Sequence, residues 1–278
     1  LEGLTEDASP APPPEPEKPP AKVEKKISDF VPLDPIEVRI GRDLLSLVDP
    51  KVSGHGQLLS RIPLVRQHVG VALGLVVPGI RFRDDLVLKP DVYQILVRGR
   101  KVASGRVCVK KYLTIGPVEK LEALEGEFDA DPTFLQVAKW IDPGLQVESD
   151  KLGCMCFDPV SVICTHLTET LWRQASQLLT FEGASYQLSL HKNYEPRLHA
   201  ALEKRGVDEV KIWQLLQELL RERVSIRDLT TILQTLLVHP EAGLNESLEK
   251  VRRALAPQIT QSLTEGALHL EVVLLLDH

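Results

Sequence analysis

Residues 212–237, IWQLLQELLRERVSIRDLTTILQTLL, constrain the fold of this chain more than any other stretch. Ile212, Leu215, Leu216 and Leu219 recur at i, i+3, i+4 and i+7, one apolar face of a helix. Leu229, Ile232, Leu233, Leu236 and Leu237 repeat that spacing. Residues 221–224 between the two runs leave room only for a tight turn. Ser225 is the expected N-cap of the second helix, over 226–237, with Asp228 standing in for the Glu of a capping box. The unit is helix–turn–helix in outline, and both apolar stripes must be buried.

A length of 278 residues allows two or three small domains. Aromatic residues make up only 5%, so the core must be built from Leu, Val and Ile. A net charge of -6 argues against nucleic-acid binding, which needs a cationic surface. Four cysteines without a secretory signal fit a reducing compartment. The longest apolar runs, such as 71–80, are far shorter than a membrane span.

Residues 1–30 are set apart by the run PAPPPEPEKPP, which has little to bury and reads as a flexible linker. Ile36, Val38 and Ile40 then alternate with polar residues, as in a half-buried strand. Leu58, Ile62, Val65, Val69 and Ala72 mark a helix closed by Gly74, with Pro63 tolerable near its first turn. Strands are expected over 76–82, 93–98 and 102–109, and a loop over the acidic stretch 119–131. Asp158 followed by Pro159 is a strong helix start. Val160, Ile163, Leu167, Leu171, Ala175 and Leu178 give that helix one continuous face. Residues 194–255 read as helical, and 272–276 as a strand that a further domain would have to pair.

Few residues form a chemical constellation. Cys154, Cys156, Cys164 and His166 have a zinc-like order, but Cys164 and His166 lie two apart on a helix, roughly 200° around its axis. Buried structural thiols are the preferred reading. The second helix of the helix–turn–helix unit carries only Arg227 as a cation, too little for a DNA reader. No phosphate loop, metalloprotease motif or nucleophile elbow is present, so no enzyme, cofactor or metal site is expected. Asp131, Pro132, Thr133 and Phe134 read as a cap and proline with a phenylalanine one turn into a short helix.

The wording LLRERVSIRDLTTIL resembles a signature of the FHIPEP family, the major export-gate proteins of flagellar and injectisome type III secretion systems. Residues 33–49, 58–99, 131–134, 137–141 and 157–171 resemble further segments of its cytoplasmic domain, in order. The resemblance implies an α/β plus α fold. Residues 31–99 and 153–182 would form a discontinuous α/β subdomain, with a small α+β subdomain of residues 100–152 inserted. A helical subdomain over 183–256 follows, and 257–278 would begin a last, truncated α/β subdomain. It also implies a homo-oligomeric, nonameric ring on the cytoplasmic face of the bacterial inner membrane. That ring would receive export chaperone–substrate complexes and meet other export-apparatus components. Membrane contact would come only through a transmembrane half preceding this sequence. In the family, positions matching Asp131, Phe134 and Thr165 help form the cleft for those complexes, with Ile115, Pro117, Phe157 and Val162 as neighbours. The acidic stretch 119–127 departs from the family pattern. Read from the residues alone, a cytosolic regulator with a winged-helix-like module stands as the alternative.

Overall fold

The computed structural model describes residues 33–48 and 57–264, with side chains to 261. The linker expected over 1–30 and the strand expected over 272–276 lie outside these residues.

The chain enters at β1 (Ile36–Ile40), whose Ile36, Val38 and Ile40 are buried. Helix α1 (Gln57–Leu73) carries the chain over to β2 (Ile80–Asp84), parallel to β1. Strand β3 (Val92–Val97) pairs antiparallel with β1 and turns directly into β4 (Arg100–Arg106), giving a sheet ordered β2-β1-β3-β4. The turn is Arg98 and Gly99, at φ 49 and 75, the left-handed pair that a two-residue hairpin requires. Leu58, Ile62, Val65, Val69 and Leu73 of α1 are buried with the strands' apolar side chains. Pro63 sits well inside α1 rather than in its first turn. Both Pro63 and Leu59, whose carbonyl loses its helical donor, are exposed residues.

A second sheet follows: β5 (Tyr112–Ile115), α2 (Val118–Glu122), β6 (Gly126–Ala130), β7 (Val137–Ile141), α3 (Gln146–Lys151) and β8 (Met155–Phe157). Its order is β6-β7-β5-β8, antiparallel throughout. Its strands thus span 112–157. β4 belongs to the first sheet, tied there by its hairpin turn, and β8 closes the second. Leu113, Ala138 and Trp140 join the core shared with the first sheet. The acidic stretch expected to be a loop holds α2 and β6. Cations from neighbouring strands make this possible: the Lys139 ammonium donates to the Leu121 and Leu124 carbonyls at the end of α2. Arg106 of β4 donates to Asp91 at 2.6 Å and to Glu127 at 2.7 Å, and holds the Glu127 carboxyl below its ordinary value.

Helix α4 (Pro159–Arg173) starts where Asp158 accepts the Val160 and Ser161 amides. Its apolar face packs on α1, and α5 (Ala175–Leu178) continues that face after a break at Gln174. Six more helices complete the described chain: α6 (Phe181–Tyr194), α7 (Pro196–Lys204), α8 (Glu209–Arg221), α9 (Leu229–Val238), α10 (Leu244–Ala254) and α11 (Ala256–Thr264). Ile212, Leu215, Leu216 and Leu219 of α8 are buried, as are Ile232, Leu233 and Leu236 of α9. Arg223, at φ 61, closes α8: its amide reaches the Leu220 carbonyl and the Val224 amide the Leu219 carbonyl.

Ser225 is not the cap of α9. That role falls to Asp228, which accepts the Thr231 amide. Residues 224–228 form no helical turn, and here the Ile226 amide bonds the Leu73 carbonyl at 2.8 Å and the Ile226 side chain is wholly buried. Gly74, at φ 78, makes this crossing possible, since a Cβ there would lie 2.3 Å from the Arg227 amide nitrogen. Gln187 of α6 donates to the Gly74 carbonyl, so three segments meet at the end of α1.

Candidate functional site

Residues 131–136 connect β6 to β7 as a hairpin loop, not as the start of a helix. The capping role of Asp131 survives: its carboxylate accepts the Phe134 amide at 2.7 Å. The Leu135 amide bonds the Asp131 carbonyl at 2.9 Å, and the Asp131 amide bonds the Gln136 carbonyl at 2.8 Å. Antiparallel pairing of β7 with β6 forces the chain to reverse here, so the single turn closed by the Leu135 amide is not continued into a helix. The loop holds Asp131 buried and Phe134 57% exposed.

The loop is braced from below. Gly105 of β4 permits this, because a Cβ there would lie 2.6 Å from the Tyr93 hydroxyl and 2.8 Å from the Pro132 ring. The Tyr93 hydroxyl is 2.7 Å from His166 Nδ1, and both residues are buried. Burial raises the Tyr93 pKa far above its ordinary value and lowers that of His166, against the opposing pull of Asp131. Tyr93 therefore keeps its proton and donates, and neutral His166 accepts.

Thr165 is exposed on α4, immediately before the buried His166. β5 lies between β7 and β8, which places Ile115 opposite Ala138 of β7 and Met155 of β8. Ile115 and Phe157 are half-buried and Pro117 is exposed. Val162 does not belong with them. It is 3% exposed within the core, because it faces inward beside Ile163 on α4. Sequence reasoning missed Leu135, Met155 and Val137, which are 78%, 61% and 49% exposed. The one available signal was the run Phe134–Leu135 in a loop otherwise built to turn. A separate open depression of about 680 Å³ lies between α1 and the 224–228 segment, lined by Leu64, His68, Val71, Arg227 and Gln258.

The cysteines do not converge. The Cys156 thiol sits 3.2 Å from the Ser149 hydroxyl and 3.3 Å from that of Thr114. Burial pushes the Cys164 thiol up to about 11. Among the described residues no cluster of His, Cys, Asp or Glu is placed to hold a metal ion.

The sequence matches the FHIPEP family over residues 4–278. The chain belongs to that family. Among its relatives, the flagellar biosynthesis protein FlhA of Bacillus subtilis is 33% identical over 254 residues, covering 91% of this chain and 37% of that protein. FlhA of Escherichia coli is 31% identical over 242 residues, covering 86% and 35%. This FHIPEP chain therefore spans about a third of the length of these relatives. Among solved structures, the Chlamydia pneumoniae CdsV protein superposes with a TM-score of 0.76 at 23% identity, covering 86% of this chain and 70% of that one. Nonameric SctV-C of EPEC gives 0.62 at 17% identity, covering 82% and 67%. At these identities the likeness concerns the fold, a mixed α/β arrangement of two small sheets and many helices. The resemblance read from the motifs is thereby established at the level of family.

Proposed function

We propose that this chain is a docking platform of a type III protein export gate, receiving chaperone-bound cargo at the cytoplasmic face of the bacterial inner membrane. One observation carries the reading: a hairpin loop, locked by its own hydrogen bonds and packed at Pro132 over Gly105 of β4, holds the aromatic ring of Phe134 largely in water. A large apolar side chain fixed at the surface is a binding feature rather than a folding one. Ile115, paired with Ala138 of β7 and Met155 of β8, is taken to extend the site along the sheet. In this reading Asp131 and Thr165 frame the site with Phe134, Ile115, Pro117 and Phe157, while Val162 supports it from within.

Family membership and the flagellar role in the names of the FlhA relatives support an export function. The nonameric assembly reported for SctV-C supports a ring of copies of this chain, and the complex of CdsV with CdsO supports contact with other export components. We read the first sheet with α1 and α4 as a discontinuous α/β subdomain. The second sheet is then the insert, and α6 to α10 the helical subdomain. Membrane attachment is assigned to a part of the full protein outside these residues. Among the described residues no helix is long and apolar enough to cross a membrane. The burial of α9, and of Ile226 just before it, favours a packing role for the helix–turn–helix over a nucleic-acid reader.

The test is Phe134→Ala. Loss of a hot-spot aromatic costs on the order of 2 kcal/mol, about a thirtyfold loss of affinity for a cognate chaperone–cargo complex. Unchanged affinity together with a sharply lowered Tm would make Phe134 structural and remove the site.

A further inference from the structure

The backbone of the 131–136 loop contains one residue that suits neither folding nor solvent. Four residues, Pro132 to Leu135, bridge the Asp131–Gln136 pair, and Leu135 closes the bridge at φ 58. Short hairpin loops of this kind put their last residue in the left-handed region, a place for Gly or Asn. Leucine there is strained by its Cβ. Burial does not compensate, since Leu135 is 78% exposed. The loop's hydrogen bonds described above are made by backbone groups and by the Asp131 carboxylate, so none needs the leucine side chain. Two other non-glycine residues share this conformation among the described residues, Arg98 and Arg223, and both are arginines whose charged ends water welcomes. Leu135 alone of the three puts an apolar side chain into water at a conformational cost.

We propose that Leu135 is a second contact residue for the docking partner, taking up an apolar side chain of the chaperone–cargo complex beside the one met by Phe134. The inference rests on the docking reading above. Strain that is useless to the fold and located at a surface marks a functional position. The chemistry of the partner follows from the loop: residues 132–138, PTFLQVA, carry no ionisable side chain. With Phe134 on one side and Val137 49% exposed on the other, the complementary surface is apolar rather than charged.

The experiment compares Leu135→Gly, Leu135→Asn and Phe134→Ala in the full-length protein. The probe is a flagellar-type export chaperone bound to its cargo, both from the genome that encodes this chain. Kd and Tm are measured on each variant. Both Leu135 variants are expected to keep or raise Tm by a few degrees, because they relieve the left-handed strain, and to weaken binding about tenfold. If Phe134→Ala weakens binding but neither Leu135 variant does, this inference is overturned and the docking reading stands. If none of the three variants weakens binding, the docking reading fails and takes this inference with it. A fall in Tm of several degrees in both Leu135 variants would show that the leucine serves the fold, and would also overturn it.

Discussion

Gly74 and Gly206 form a natural pair for measuring how firmly the helical half is docked on α1. Both sit at a helix end in the left-handed region, at φ 78 and 73. They differ in what an added methyl would meet. At Gly206 nothing lies within 4 Å, whereas at Gly74 the Arg227 amide nitrogen would be 2.3 Å away and its Cα 2.4 Å. Gly206→Ala should therefore show the conformational term alone. That is about 1–2 kcal/mol for Cβ in the left-handed region, reduced by roughly 0.4–1 kcal/mol from the stiffer unfolded chain. A net loss of about 1 kcal/mol is expected. Gly74→Ala carries the same term and must also push the 226–227 backbone off α1. The Ile226–Leu73 hydrogen bond and the Gln187–Gly74 hydrogen bond are each worth about 1 kcal/mol net. Partial exposure of the wholly buried Ile226 adds a share of about 1.5–3 kcal/mol. The total is about 3–5 kcal/mol. Urea denaturation followed by circular dichroism at 25 °C measures both variants against the parent chain. Losses agreeing within about 0.5 kcal/mol would mean that the segment yields freely and that the crossing holds nothing in place.

Thr133 has a buried hydroxyl without a hydrogen-bond partner among the described residues, so Thr133→Val should stabilise the chain by about 1 kcal/mol. A loss of stability in the same denaturation assay would mean that the hydroxyl is satisfied. Burial lowers the pKa of His166 below its ordinary 6.5, so the unfolded chain binds more protons as pH falls past that value. The contribution of neutral His166 is complete above about pH 6.5 and is lost as pH drops toward the folded pKa. His199, lowered by burial and by His191, acts in the same direction. His166→Gln should flatten the stability profile between pH 7.5 and 5, and a parallel profile would refute the assignment. Asp158 and Asp228 are held below the ordinary carboxylate value, so their effect falls under about pH 4, outside that window.

What could be read from the sequence was whatever local grammar decides. The stripes of α8 and α9, the Asp158 cap and the Gly74 stop are all written within a few residues of where they act. The errors share one cause. Ser225 has the chemistry of a cap, but Ile226 is drawn to the Leu73 carbonyl, some 150 residues earlier in the chain, and the helix starts late. Residues 119–131 look like solvated acid until Arg106 and Lys139 arrive from other strands. Asp131 has the chemistry of a cap and acts as one, yet the pairing of β6 with β7, not the cap, decides that a hairpin follows. In the candidate site, residue type pointed to Phe134, while exposure separated it from Val162. Both are apolar, and no local pattern distinguishes a ring held in water from a methyl pair held in the core.

Met155 is the single methionine of the chain, and it stands largely exposed on β8 across from Ile115. A sample labelled with carbon-13 at methionine methyl groups would therefore give one side-chain resonance, arising from beside the candidate surface and from nowhere else. Contact with a partner, or oxidation of the sulfur to the sulfoxide, would each be read as the movement of one peak. No assignment of the rest of the 31.0 kDa chain is needed to follow it.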